Sequence, residues 1–206
     1  MGRLADMTFA GIIDRYARAS AEFEPLLRAV RDWTAPTPCT EWDVRALVNH
    51  MARGNLNYAL LAGGGTAEEF LRLRDADALG ADPVGAFTES VRTCTGAFTR
   101  PGTLDRTLDY PLGRIPGAQA LAVRTADSVI HTWDLARAIG ADDTLDGDLV
   151  AWVDDRLDDI YAGLAVSRFF ARPAGEPGPT RQDRLLFRMG RLTAASTGPT
   201  TGGTPR

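Results

Sequence analysis

The sequence predicts an all-α protein: a four-helix bundle with a long crossover before the fourth helix and a short helical appendage at the C-terminal end. Two observations carry this. Apolar residues recur at three- and four-residue intervals through four long segments. Proline- and glycine-rich stops separate those segments, and alternating polarity is confined to a short stretch near residue 110.

In the first segment, residues 8–33, the apolar positions are Ile12, Tyr16, Ala19, Phe23, Leu26, Leu27, Val30 and Trp33. That period marks an amphipathic helix. Pro25 lacks an amide proton and crowds the preceding turn, so a kink or a split is expected there. Residues 35–39 contain Pro36 and Pro38 and should be extended. Thr40 is the expected N-cap of a second helix from about Glu41 to Ala62, which stops at three consecutive glycines, 63–65. A short helix follows over 66–75. Asp82-Pro83 opens the third long helix, since a carboxylate can cap it and proline suits the first helical position. That helix should run to about Arg100. Residues 103–117 read as an irregular crossover with some strand character. The fourth long helix spans Ala118 to Ile139, with Gly140 as its cap, and further helical segments cover about 146–166 and 181–191. The bundle thus occupies 1–192, with 146–192 as its accessory part, and the Thr/Gly/Ser/Pro-rich tail 193–206 is expected to be disordered.

Composition excludes several roles. The 206 residues carry a net charge of -4, with 24% charged and 44% hydrophobic residues, which suits one ordinary domain. No basic stripe is available to neutralise phosphates, so nucleic acid is not an expected partner. No apolar run approaches the roughly 20 residues that cross a bilayer. The opening residues, MGRLADMTFAGIIDRY, are not read as a secretory or transit signal. Cys39 and Cys94 cannot build a disulfide framework, and a reduced, cytoplasmic chain is the expectation. The sequence leaves monomer or homodimer open.

The chain has two histidines, His50 in the second helix and His131 in the fourth. Asp127 precedes His131 by four residues, so both project from one face of that helix. An imidazole and a carboxylate so spaced can ligate one ion, with His50 as the histidine left to complete the set. The same pattern also fits two structural histidines and a chance carboxylate. Two imidazoles and a carboxylate suit zinc first, with nickel or ferrous iron as alternatives, and three protein ligands leave a coordination position open. Asp134 shares the face of Asp127 and His131. It is a candidate fourth ligand or acceptor for an imidazole proton, or a fold-stabilising partner of a nearby arginine. Asn55 and Asn57, one to two turns after His50, are candidates to line the cavity or else helix-surface residues; Arg53 and the arginines of the third and fourth helices could meet an anionic cofactor or be solvated charges. Trp42 and Trp133 read as core, and Cys39 as a small buried residue rather than a ligand.

The stretch from Pro36-Thr-Pro-Cys39 through Trp42 and Val44 to Leu47 and His50 resembles a signature of DinB-like proteins. More narrowly, it is similar to the N-terminal domain of mycothiol-dependent maleylpyruvate isomerase. The stretch from Asp127 through His131 and Trp133-Asp134 to Gly140 resembles the second signature of that group. Likeness extends over about 8–192, including Gly117-Ala118 and the terminal RLLFRMGR, and takes in a short actinobacterial branch described as metal-binding. The resemblance implies that His50, Asp127 and His131 are the metal ligands. The isomerase has glutamate where Asp127 stands, so the shorter carboxylate must draw the ion toward its helix or bind through one oxygen. The isomerase also has a larger C-terminal domain than residues 141–206 can supply.

The expected function is therefore a divalent-metal-binding protein that works with a low-molecular-weight thiol, mycothiol by resemblance, as an S-transferase or isomerase acting on a small electrophile. The alternatives are a metal-dependent hydrolase, with Asp134 as base, and a non-catalytic bundle that binds a small ligand or the ion alone.

Overall fold

The structure, a computed structural model, describes residues 9–165 and 175–193. Its elements are helices α1 (Ile12–Ala29), α2 (Val44–Ala62), α3 (Ala67–Leu73) and α4 (Pro83–Phe98), strands β1 (Thr107–Tyr110) and β2 (Gly113–Pro116), then α5 (Gly117–Ile139), α6 (Gly147–Ile160) and α7 (Arg181–Arg188). The four long helices close a ring in which α1 packs on α5 and α4, and α2 packs on the same two. Helix α6 lies against α5, and α7 lies against α6.

Helix α5 is the centre of the molecule. Of its 23 residues, 18 are buried, because α1, α2, the hairpin and α6 all pack on it. A helix wrapped on every side needs small or apolar residues all round. The sequence supplies them: Ala120, Ala122 and Ala126 admit close neighbours, while Leu121, Val129, Ile130 and Trp133 fill the space between helices. A second part of the core, built on Phe23, Leu47, Met51 and Phe87, joins α1, α2 and α4. Rings Phe23 and Phe87 meet there at 4.9 Å.

Several boundaries differ from the sequence-based expectation. Helix α1 runs through Pro25 without a break. Phe23 on one side of it and Leu27 on the other are both buried on the same stripe. Their packing offsets a cost of roughly 3 kcal/mol for an interior proline. The N-cap of α2 is Asp43, not Thr40: its side chain accepts from the amide of Ala46 at 2.8 Å. Residues 36–43 are instead committed to a closed loop, described below. Thr66 and Glu69 form a reciprocal capping box on α3. The strand character of the crossover is a two-stranded antiparallel hairpin with Leu108 opposite Ile115, both facing the core. Helix α6 ends at Ile160 rather than near 166, and the tail beyond Thr193 lies outside the described residues. Among the described residues no helix is long and apolar enough to cross a membrane.

Candidate metal centre

Helices α2 and α5 run antiparallel where they touch, since His50 lies beside His131 and Asn55 beside Arg124. This crossing brings the three residues singled out from the sequence to one point. Nε2 of His50 is 3.1 Å from Oδ2 of Asp127, and Nε2 of His131 is 3.2 Å from Oδ1 of the same carboxylate. Ligand atoms from His50, Asp127 and His131 all lie within 4.8 Å of one another. The side chains of His50 and Asp127 remain about one-third exposed, at 31% and 32%, whereas that of His131 is 6% exposed. The cluster is thus closed on the His131 side and open on the other.

Burial and neighbouring charge pull the three groups in opposite directions. Burial works against the charge of Asp127, but the imidazoles of His131 and His50 outweigh it and hold the carboxyl well below the usual range. Burial likewise pushes His131 down, and Asp127 with Asp134 behind it overrides this and raises the imidazole well above its ordinary value. For His50 burial prevails, with Asp127 as only a partial offset, and its value is lowered.

The loop before α2 forms one wall. The hydroxyl of Thr37 donates to the carbonyl of Trp42 at 2.8 Å, and the amide of Trp42 donates to the carbonyl of Cys39 at 2.7 Å. A backbone bridge joins Pro36 to Asp43. Two prolines with fixed φ make such a closure less costly in entropy. It lays the Trp42 ring 4.6 Å from His50 and 5.8 Å from His131, centroid to centroid. Trp42 is half-buried, packs against the core around Phe23 and Leu47 as expected, and is also a wall of the site, whereas Trp133 is buried. The Pro-Thr-Pro-Cys-x-x-Trp pattern is the covalent outline of this loop.

Behind the cluster lie two guanidinium groups that the sequence reading did not place. Arg124, one turn before Asp127, is fully buried and ion-pairs with Oδ2 of Asp127. Its Nε donates to Oδ1 of Asn55 at 2.8 Å and its Nη2 to the carbonyl of Met51 at 2.8 Å. Asn55 in turn donates to Ser90 at 3.0 Å. An Arg-x-x-Asp spacing on a helix was the available signal. On the other side, Asp134 accepts from Nδ1–H of His131 at 2.9 Å and from Arg191 at 2.7 Å. Burial would raise the carboxyl of Asp134, but the bonds from His131 and Arg191 prevail and set it at about 2.

The other candidates are engaged elsewhere. Asn55 is buried between Arg124 and Ser90. Asn57 is buried and donates to the carbonyl of Phe70 at 3.3 Å. Arg53 donates to the carbonyls of Ala76 and Asp77, tying α2 to the loop before α4. These bonds hold the fold together, and none of the three touches the His50 cluster through them.

The sequence profile of the family described as the mycothiol maleylpyruvate isomerase N-terminal domain matches residues 16–136, well over half of the chain. The chain belongs to this family. Among curated relatives, an uncharacterized protein found in two strains of Mycobacterium tuberculosis is 33% identical over 136 residues, which cover 65% of this chain and 70% of that one. Among solved structures, that of the mycothiol-dependent maleylpyruvate isomerase superposes with a TM-score of 0.57 at 14% identity, covering 82% of this chain and 74% of that one. A histidine-to-alanine variant of the same enzyme gives 0.59 at 15% identity with the same coverage. At such identities the likeness shows the shared helical fold. The family match contains His50, Asp127, His131 and Asp134 and ends before α6, so Arg191 lies outside it.

Proposed function

We propose that the protein holds one divalent metal ion with His50, Asp127 and His131 and uses it with a small thiol of the mycothiol type, as a thiol transferase or isomerase acting on a small electrophile. The observation that carries this reading is the convergence of those three side chains at one partly accessible point. The donor set fits the ion. Ligand atoms each about 2 Å from a tetrahedral zinc-like centre stand roughly 3.3 Å apart; one ligand atom from each of the three residues lies within 4.8 Å of the others, and the imidazoles approach the two carboxylate oxygens at 3.1 and 3.2 Å. Two nitrogens and one oxygen suit zinc, nickel or ferrous iron. The thiol rests on family membership and on the solved relative's description as mycothiol-dependent.

When bound, a divalent cation stabilises a thiolate next to it at neutral pH. The chain's own residues prepare the place. Asp134 holds the Nδ1 proton of His131, which leaves Nε2 facing Asp127 and His50. Arg124 engages Oδ2 of Asp127 and so fixes the orientation of the carboxylate. Trp42 covers both imidazoles and excludes water from one side. The exposed edges of His50 and Asp127 leave one direction of approach for a thiol and its electrophile.

The experiment is elemental analysis of protein purified without chelator, followed by thiol-dependent consumption of model electrophiles by wild type and His50→Ala. Near-stoichiometric metal, lost in His50→Ala together with thiol turnover, is expected. Metal that is far below stoichiometric, or turnover indifferent to His50→Ala, would refute the reading. Metal without turnover on any thiol and electrophile would reduce it to a binding protein.

A further inference from the structure

Arg191 follows α7, at the far end of the accessory segment, 57 residues from the carboxylate it meets. The element that delivers it is firmly anchored. Leu185 and Leu186 of α7 are fully buried. Arg181 and Arg188 pair with Asp154, Asp155 and Asp158 on α6, and Gln182 bonds the backbone at Leu145 and Asp143. The chain then turns back, with the amide of Arg191 donating to the carbonyl of Leu186 at 2.8 Å.

The guanidinium lands on Asp134 side-on. Nε donates to Oδ1 at 3.2 Å and Nη2 to Oδ2 at 2.7 Å, and Nη2 also lies 3.0 Å from Sγ of Cys39. Nη1 is held by the carbonyl of Met189 at 2.9 Å. Cys39, His131 and Asp134 are themselves close enough to hold a cation, with ligand atoms within 4.8 Å. The guanidinium already touches two of the three. Asp134 has no exposed side-chain surface, so without Arg191 its charge would be left with His131 as its one positive neighbour among the described residues. Its remaining side-chain donors would be His131 at 2.9 Å and the Cys39 thiol at 3.3 Å, both on Oδ2, so Oδ1 would lose its side-chain partner and the hold on the imidazole would weaken.

We infer that Arg191 is a positioning residue of the metal centre: by clamping Asp134 it fixes the ring of His131, with Nδ1–H toward Asp134 and Nε2 toward Asp127 and His50. This rests on the proposed metal site and deepens it. The α6–α7 segment, outside the family match, is then a working part of the centre. A planar guanidinium clamps Asp134 more fully than an ammonium, which neutralises the charge but cannot engage both oxygens side-on.

The test compares full-length wild type with Arg191→Ala, Arg191→Lys and Arg188→Ala. The last removes one anchor of α7, leaves Arg181, Gln182, Leu185 and Leu186 to hold Arg191 in place, and does not touch Asp134. Two quantities are read: zinc affinity by competition with a chelator, and the ring N–H proton resonances of the two histidines in metal-free and zinc-loaded protein. Arg191→Ala is expected to weaken zinc binding by about 10- to 100-fold, the usual effect of removing an outer partner of a metal-ligating histidine, and to broaden or abolish the protected Nδ1 proton of His131. Arg191→Lys should recover part of both, and Arg188→Ala should change neither beyond about twofold. The inference is overturned if Arg191→Ala keeps wild-type affinity and a sharp Nδ1 proton while losing only thermal stability, as Arg188→Ala would. Should wild type bind no zinc, the metal reading fails, and the resonances of the metal-free protein still decide whether Arg191 orients His131.

Discussion

An alanine at position 54 would place its Cβ 2.8 Å from Nη1 and 3.0 Å from Cζ of Arg124. A guanidinium at the end of a free side chain could step aside. This one cannot readily do so, because Asn55, Met51 and Asp127 hold it on three sides in a fully buried position. Alanine would gain about 1 kcal/mol of helix propensity over glycine, against an overpacking cost of roughly 1–3 kcal/mol. We therefore expect Gly54→Ala to lower unfolding stability by about 1 kcal/mol and to weaken metal binding by shifting Asp127. Denaturant titration with a parallel zinc titration measures both, and a variant as stable as wild type with unchanged zinc affinity would show that Arg124 relocates freely. At this scale the sequence was partly readable. His50, Asp127 and His131 could be singled out because the chain has two histidines and both lie in stretches that resemble the family's signatures; the four-residue spacing alone also fitted two structural histidines. Arg124 was hidden among 23 arginines, and its role depends on Gly54 of another helix leaving room for it. Trp42 packs on the core as tryptophan usually does, and what could not be read is that the loop closed through Thr37 also sets its ring against both histidines.

Among the elements, helix periodicity located every long helix, and the errors sit at ends and at Pro25. Ends depend on which side chain wins the cap, and Asp43 wins over Thr40 because the loop from Pro36 to Asp43 holds Thr40 outside α2. Propensity alone cannot show that buried neighbours carry α1 through a proline. The junction of hairpin and α5 supplies a sharper test. The amide of Gly117 donates to the carbonyl of Arg106 at 2.9 Å, and a Cβ at 117 would lie 2.1 Å from the carbonyl oxygen of Thr103 and 3.1 Å from Cα of Leu104. These are backbone atoms, so no rotamer change relieves the clash. Gly117→Ala should destabilise the protein by at least about 2 kcal/mol, lowering the melting temperature by about 4–8 °C for a chain of this size. A melting temperature within a degree or so of wild type would mean that the crossover does not press on the start of α5.

For the whole molecule, the sequence indicated a bundle but not which helices would adjoin, since the 3.6-residue period fixes a helix's inner face and says nothing of its neighbour. The link from α7 to Asp134 was least readable of all, because it joins distant residues through no local pattern. The assembled centre nevertheless has a consequence that needs no knowledge of substrate. His50 and Asp127 come from different helices, and the unfolded chain cannot hold them together, so an ion bound at this point stabilises the folded state alone. At a free ion concentration one hundred times the dissociation constant, the gain is about 2.7 kcal/mol, which for a domain of this size corresponds to a rise of roughly 5–10 °C in melting temperature. Zinc added to chelator-stripped wild type should produce that rise in a concentration-dependent manner, and excess chelator should reverse it. His50→Ala and Asp127→Ala should show little or none, since two remaining donors hold an ion weakly. If zinc raises the melting temperature of wild type and both variants equally, the ion binds elsewhere on the surface. If it raises none of them, the convergence of α2 and α5 at His50, Asp127 and His131 is an ion pair of the fold and not a metal centre.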